Sequence, residues 1–186
     1  MRPRFKSGRA HHRKVVYTRI GKLNGFIDTL YNINLMDSPL KINYGDFYRF
    51  AFMLQSIESK IYNICNEVFC NINDRRVIHQ LLQTKIYQLA QDFNYKAWRE
   101  FRIPNVRDDG RDGLIDVVWF KVMKPFIAFE IDSSFRSKSI KKLLAISAPY
   151  KFWIYYGHEN RESLTPKEIN LIYAHRYKRK SCRKCL

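Results

Sequence analysis

Two apolar runs lie close together in the middle of the chain, and each carries acids. The first is Leu114-Ile115-Asp116-Val117-Val118-Trp119-Phe120; the second is Phe126-Ile127-Ala128-Phe129-Glu130-Ile131-Asp132. β-Branched and aromatic residues dominate both, which predicts buried strands over 114–122 and 126–132. Met123-Lys124-Pro125 reads as the turn between them, and so short a connection requires an antiparallel hairpin. A hairpin this apolar needs cover on both faces, which helices supply. The acids then need an explanation, because a lone buried carboxylate costs on the order of several kcal/mol unless a partner or a metal offsets it.

The apolar period changes on either side of the hairpin. Asp46 is placed to cap a helix over about 46–70, in which Phe47, Phe50, Leu54, Ile57, Ile61, Cys65 and Val68 recur at helical spacing. Asn71-Ile72-Asn73 interrupts it, and Asp74 can cap a second helix to about residue 93. Lys96 to Ile103 alternates as a strand, and Pro104 to Gly113 is a polar loop. Ser137 to Ile146 predicts a helix and Phe152 to Tyr156 a short aromatic strand. Thr165-Pro166-Lys167-Glu168 has a Thr cap, Pro at the first helical position and Glu three residues after the cap, which predicts a last helix. The strand at 152–156 follows a helical crossover from 126–132, so the two should run parallel. The expected fold class is α/β.

The net charge of +17 is unevenly spread. Residues 1–22 carry eight Lys or Arg and residues 175–186 carry six, with no acid in either stretch. The expected organisation is a basic arm at 1–22, a helical region at 23–73 packed on the core, the core itself at 74–174, and a basic tail at 175–186. Basic arms on a near-neutral body point to contact with the nucleic-acid backbone, which is sensitive to salt. Solubilising tails and anionic lipid are the alternatives. No apolar run approaches the roughly eighteen residues a membrane span needs, and the basic N-terminus lacks the apolar stretch of a secretory signal. A cytoplasmic location is expected, associated with the nucleoid or nucleus if the protein binds DNA. Cys182 and Cys185 form a C-x-x-C, but the chain holds no second such pair, so free thiols are favoured over a zinc site.

Side chains two apart on a strand share a face, so Glu130 and Asp132 point the same way. The hairpin can bring Asp116 beside Glu130. Carboxylates so placed suit Mg²⁺, which takes one or two of them along with waters and phosphate. Asp132, at the strand end before Ser133-Ser134, could equally be solvated or cap the next helix. Arg107, Arg111, Arg136, Lys141 and Lys142 flank the acids and read either as phosphate contacts or as solvated charges. Trp119, Trp153, Tyr155 and Tyr156 read as core rather than as base-stacking platforms.

With an Asp on the second strand and Glu-x-x on the third, the order helix-strand-strand-strand-helix-strand resembles the PD-(D/E)XK nuclease superfamily, the restriction-endonuclease-like fold. The resemblance covers about residues 74–157 and is carried by Gly113-Leu114-Ile115-Asp116-Val117-Val118-Trp119 and Phe129-Glu130-Ile131-Asp132-Ser133-Ser134. It implies a restriction-endonuclease-like core, a mixed sheet flanked by helices, behind an N-terminal helical region. It also implies that Asp116 and Glu130 hold Mg²⁺, with Mn²⁺ as substitute, and that the chain is an endonuclease hydrolysing phosphodiesters in DNA. The sequence departs from the family where Asp132 replaces the usual lysine. Asp132 is then a ligand or base, and Lys138 or Lys141 on the following helix reaches back as the cation. The alternative is a catalytically inactive nuclease-fold protein that binds nucleic acid without cleaving it. A third reading is a protein-interaction module. Glu100 is a candidate outer ligand or a solvated strand residue. Oligomeric state stays open, a homodimer among the options.

Overall fold

The computed structural model describes residues 44–157 and 162–174. The basic arm at 1–22 and the tail at 175–186, with Cys182 and Cys185, lie outside the described residues. The chain divides into two units, 1–49 and 50–186, and the packing and the site described below lie in the second.

Helix α1 (Tyr44–Asn71) is followed by α2 (Arg75–Asp92). Asp74 caps α2 as expected, its Oδ1 accepting the N–H of Arg76 at 2.7 Å and of Val77 at 3.3 Å. Strands β1 (Lys96–Ile103), β2 (Gly113–Lys121) and β3 (Lys124–Asp132) come next, then α3 (Ser137–Ala145), β4 (Tyr150–Tyr155), a 3₁₀ turn (Glu162–Leu164) and β5 (Asn170–Tyr173). The strands form one mixed sheet in the order β1-β2-β3-β4-β5. The β1–β2 and β2–β3 pairs are antiparallel, and β3–β4 and β4–β5 are parallel.

Helices cover both faces of this α/β sheet. On one face Ile57, Ile61, Cys65, Leu82, Ile86 and Leu89 of α1 and α2 pack on Val117, Trp119, Ile127, Phe129, Phe152 and Ile154. On the other, Leu143 of α3 packs with Ile115, Val118, Phe120, Ala128, Trp153 and Tyr155. Burying each large apolar side chain is worth about 1.5–3 kcal/mol, so these two clusters hold the sheet flanked. The indole N–H of buried Trp119 is satisfied by the carbonyl of Ile86 at 3.1 Å, which ties β2 to α2. Cys65 sits in the first cluster, where burial pushes its thiol up to about 12.

The pleat of β2 inverts at Asp116. Val117 and Trp119 face α1 and α2, whereas Ile115, of the same parity, belongs to the α3 side. β1 changes face at the matching place: Ala97 packs toward α1 and α2, Phe101 and Ile103 toward α3. The register pairs Arg99 with Val117 and Phe101 with Ile115, leaving Glu100 and Asp116 between them. Glu100 is the residue that departs, with φ 54°. Strict alternation, the basis of the sequence reading, therefore fails at the acid of interest.

Two further expectations are corrected. The hairpin turn is Val122-Met123, with φ 47° and 65°, two left-handed residues as in a type I′ turn. Lys124 and Pro125 belong to β3, and the register shifts where Pro125 faces Phe120. Proline lacks an N–H for the ladder and is tolerated at such an irregularity. The last helix expected from Thr165 is absent from residues 165–174; Asn170–Tyr173 is β5 instead. A capping box contributes only about 1 kcal/mol. Burying Ile172 and Tyr173 in parallel register with Ile154 and Tyr155 contributes more. No helix among the described residues is long and apolar enough to cross a membrane.

Candidate active site

The β2–β3 ladder ends at the pair Val117–Phe129. Beyond it the backbone N–H of Ile131 bonds the Asp116 side chain, donating to Oδ2 at 2.8 Å. Glu130 and Asp132 continue the alternation of Ala128 on β3 and face Trp153 and Tyr155 of β4 in register. Asp116 is partly buried, while Glu130 is 1% exposed and Asp132 7%. The charge of Asp116 lies close enough to raise the carboxyls of both Glu130 and Asp132.

A lysine enters this group from α3. Lys142 Nζ lies 2.7 Å from Glu130 Oε1 and donates to the carbonyl of Leu114 at 2.6 Å. Its stem passes over Gly113, where a Cβ would stand 2.8 Å from Lys142 Cδ and 2.5 Å from Val106 Cγ1. Glycine at 113 is thus a requirement of the close approach. The ammonium meets Glu130 as an ion pair, and Oε1 receives no well-directed hydrogen bond. Burial raises the Glu130 carboxyl, the charge of Asp116 raises it further, and Lys142 only partly counters them, so that it is pushed up to about 8.

Helix α2 supplies two polar residues one turn apart. His79 Nε2 lies 3.5 Å from Asp116 Oδ1, and Gln83 Nε2 donates to the Asp116 carbonyl at 3.1 Å. The bond to Asp116 raises the His79 imidazole above its usual range, against the effect of partial burial. Sequence reasoning missed both. The available signal was their i, i+4 spacing, which places two polar groups on one side of a helix whose neighbours Ile78, Leu82 and Ile86 are core.

Asp132 is turned to a different purpose. Its Oδ2 accepts the indole N–H of Trp153 at 2.9 Å, and Arg136 Nε stands 3.9 Å from Oδ1. Burial nonetheless raises its pKa.

The structure thus brings Asp116, Glu130, Asp132 and Lys142 together, with His79 behind them. Lys142 was expected as a phosphate contact; it is the helix cation that reaches the acids. Lys138, expected in that role, is exposed, and no salt bridge joins it to them. Lys141 pairs with Asp108, and Arg107 and Arg111 both pair with Asp109. Arg136 is exposed beside Asp132, and Glu100 is exposed on β1. Among the described residues no three His, Cys, Asp or Glu side chains form a ready metal cage. The chain matches no protein-family model, no curated protein and no solved structure.

Proposed function

We propose that the sheet is a restriction-endonuclease-like core and that the protein hydrolyses phosphodiester bonds, as an endonuclease on DNA, with Mg²⁺ or Mn²⁺ held by Asp116 and Glu130. One observation carries the reading. Glu130 is almost fully buried beside a second carboxylate, with an oxygen that no donor addresses well and a pKa pushed up to about 8. Such an arrangement costs stability, and a bound dication would relieve it. The element order from α2 to β4 supports the resemblance.

The donors suit a hard cation. Mg²⁺ needs only one or two carboxylates, with water and phosphate completing the octahedron, so two acids suffice without a third protein ligand. When bound, the ion polarises the phosphoryl oxygen and lowers the pKa of a water. The protein's own groups do the rest. The Ile131 N–H and His79 orient Asp116. Lys142 holds a positive charge at the acids, where it can offset charge developing on a phosphate oxygen. Asp132 is committed to Trp153 and stands outside the reacting set. Exposed Lys138, Lys141 and Arg136 on α3, with Arg107 and Arg111 nearby in sequence, contact the backbone phosphates. The pairs that Lys141, Arg107 and Arg111 now make are exposed and screened by solvent, so a phosphate can displace them.

The second reading is an inactive nuclease fold that binds nucleic acid. It draws on Lys142, whose ammonium already compensates the Glu130 carboxylate. Incubating plasmid DNA with Mg²⁺ or Mn²⁺ separates the two. Nicking that disappears in Asp116→Ala and in Glu130→Ala supports the enzyme. Salt-sensitive binding without cleavage supports the second reading, and cleavage that survives both substitutions removes the site.

A further inference from the structure

We propose that β1 carries a base-stacking platform: the indole of Trp98, with Lys96, Lys121 and Lys124 beside it, binds an unpaired base of single-stranded nucleic acid. Its bearing on what is cut rests on the nuclease reading; the binding itself does not, and is measured without cleavage.

Among the described residues β1 lies at one edge of the sheet and pairs with β2 alone. On one face α3 packs over β2, β3 and β4. Trp98 stands on that face of β1, opposite Val118, and stays 50% exposed, whereas Trp119 and Trp153 are fully buried. The exposed indole is nevertheless held in place. Its ring centroid lies 4.6 Å from that of buried Phe120 and 6.0 Å from that of Phe101, and those two rings meet edge-on at 5.5 Å. A ring backed in this way loses little further freedom when a ligand covers it, and an aromatic base is a favourable cover.

The cations supply the rest of the chemistry. Lys96 lies opposite Phe120 and Lys121 opposite Lys124, so three exposed ammonium groups gather at the hairpin end of β1 and β2. Residues 94–99 and 117–129 hold no acid. A flat apolar ring among ammonium groups matches the base and phosphate of a nucleotide. Bases inside a duplex are already stacked on both faces, so the platform selects an unpaired segment. Trp98 is one strand over and two residues along from Asp116, which puts about 8 Å between their backbones. At about 3.4 Å per nucleotide, two or three nucleotides of one strand span that distance.

A second copy of the chain fits this edge less well. Glu100, at φ 54°, breaks the extended backbone in the middle of β1. An antiparallel pairing centred on Arg99 would set that residue against its own copy and Lys96 against Arg102, like charge on like.

The test uses the full chain in EDTA, so that nothing is cut. Fluorescence anisotropy follows labelled oligothymidine, oligouridine RNA and a blunt DNA duplex. Trp98→Ala should bind oligothymidine about tenfold more weakly and the duplex within about twofold of the parent. Trp98→Phe, which keeps a flat ring, should lose no more than about threefold on the single strand. Lys121→Ala should weaken both and lower the salt slope by about one. Oligothymidine should quench the tryptophan fluorescence of the parent but not of Trp98→Phe, whose remaining indoles are buried. Light-driven cross-linking of iodouracil DNA to the parent, mapped by mass spectrometry, should fall on Trp98; this arm needs no variant to fold. The relative affinity for oligouridine assigns the platform to DNA or to RNA, and either supports it. Cross-links confined to other residues overturn the proposal, as do equal losses on duplex and single strand in Trp98→Ala. A dimer in sedimentation that Trp98→Ala abolishes, with single-strand binding unchanged, also overturns it and gives the edge to a second copy. If the parent binds through Trp98 yet cuts no DNA when Mg²⁺ is supplied, the nuclease reading falls and the platform stands. If it cuts and Trp98→Ala binds like the parent, the platform falls and the nuclease reading stands.

Discussion

Replacing Glu130 by Gln should stabilise the fold at alkaline pH while removing its response to Mg²⁺. The folded protein holds the Glu130 proton to about pH 8, against an ordinary value of 4.5. Between those values folding takes up a proton, so stability falls as pH rises through the window; the penalty is absent below 4.5 and complete above about 8. At 1.36 kcal/mol per pH unit the cost is roughly 3 kcal/mol at neutral pH and nearer 5 above the folded value. Gln resembles the protonated carboxyl, so the Glu130→Gln variant would escape this cost, and Lys142 would keep the Leu114 carbonyl as it does beside protonated Glu130. The net gain expected is about 3–5 kcal/mol near pH 9, shrinking to nearly nothing near pH 4, where the parent's Glu130 is protonated and bears no penalty. Urea unfolding followed by tryptophan fluorescence at the two pH values measures both. A variant less stable than the parent at alkaline pH would refute the reasoning, because the Glu130–Lys142 pair would then be a net stabiliser rather than a strained pair.

Asp116→Asn should lower the pKa of His79 toward its ordinary value, read from the imidazole proton shifts by NMR. The stability that His79 contributes, complete below about 6.5 and lost as pH rises through the folded value, should disappear with it. Gly113→Ala should cost about 1–3 kcal/mol in thermal melts and depress cleavage, because its Cβ would crowd both Val106 and the Lys142 stem. At the hairpin tip, Val122→Asn with Met123→Gly should stabilise the fold by about 1 kcal/mol in urea titration, since both residues are exposed and adopt left-handed φ values that Asn and Gly accept more readily.

Periodicity made much of the architecture legible. The α2 cap at Asp74, the strand from Lys96 to Ile103, the α3 span and the parallel relation of β3 and β4 all follow from local pattern and connection length. Where the sequence misled, a long-range term had outweighed a local one. The capping box at Thr165 gave way to the pairing of β5 on β4, which no local signal announces. The hairpin turn moved onto Val122-Met123 because the strands' register outweighed two unfavourable φ values. Asp116 and Glu130 were legible because acids stand out in apolar strands. Their helper was not, because Lys138, Lys141 and Lys142 look alike until the helix phase is tied down by buried Ser139 and Leu143. His79 was hidden for the same reason: only the packing of α2 on β2 shows that it meets Asp116.

The central claim is that Asp116 and Glu130 hold a divalent cation. Anomalous diffraction from crystals grown with Mn²⁺ tests it most directly. The account predicts one strong peak within coordination distance of an oxygen of each, at about 2.0–2.2 Å, with the Lys142 ammonium displaced from Glu130 Oε1. Crystals with Mn²⁺ in the solvent and no peak between the two carboxylates, Lys142 still seated on Glu130, would contradict it.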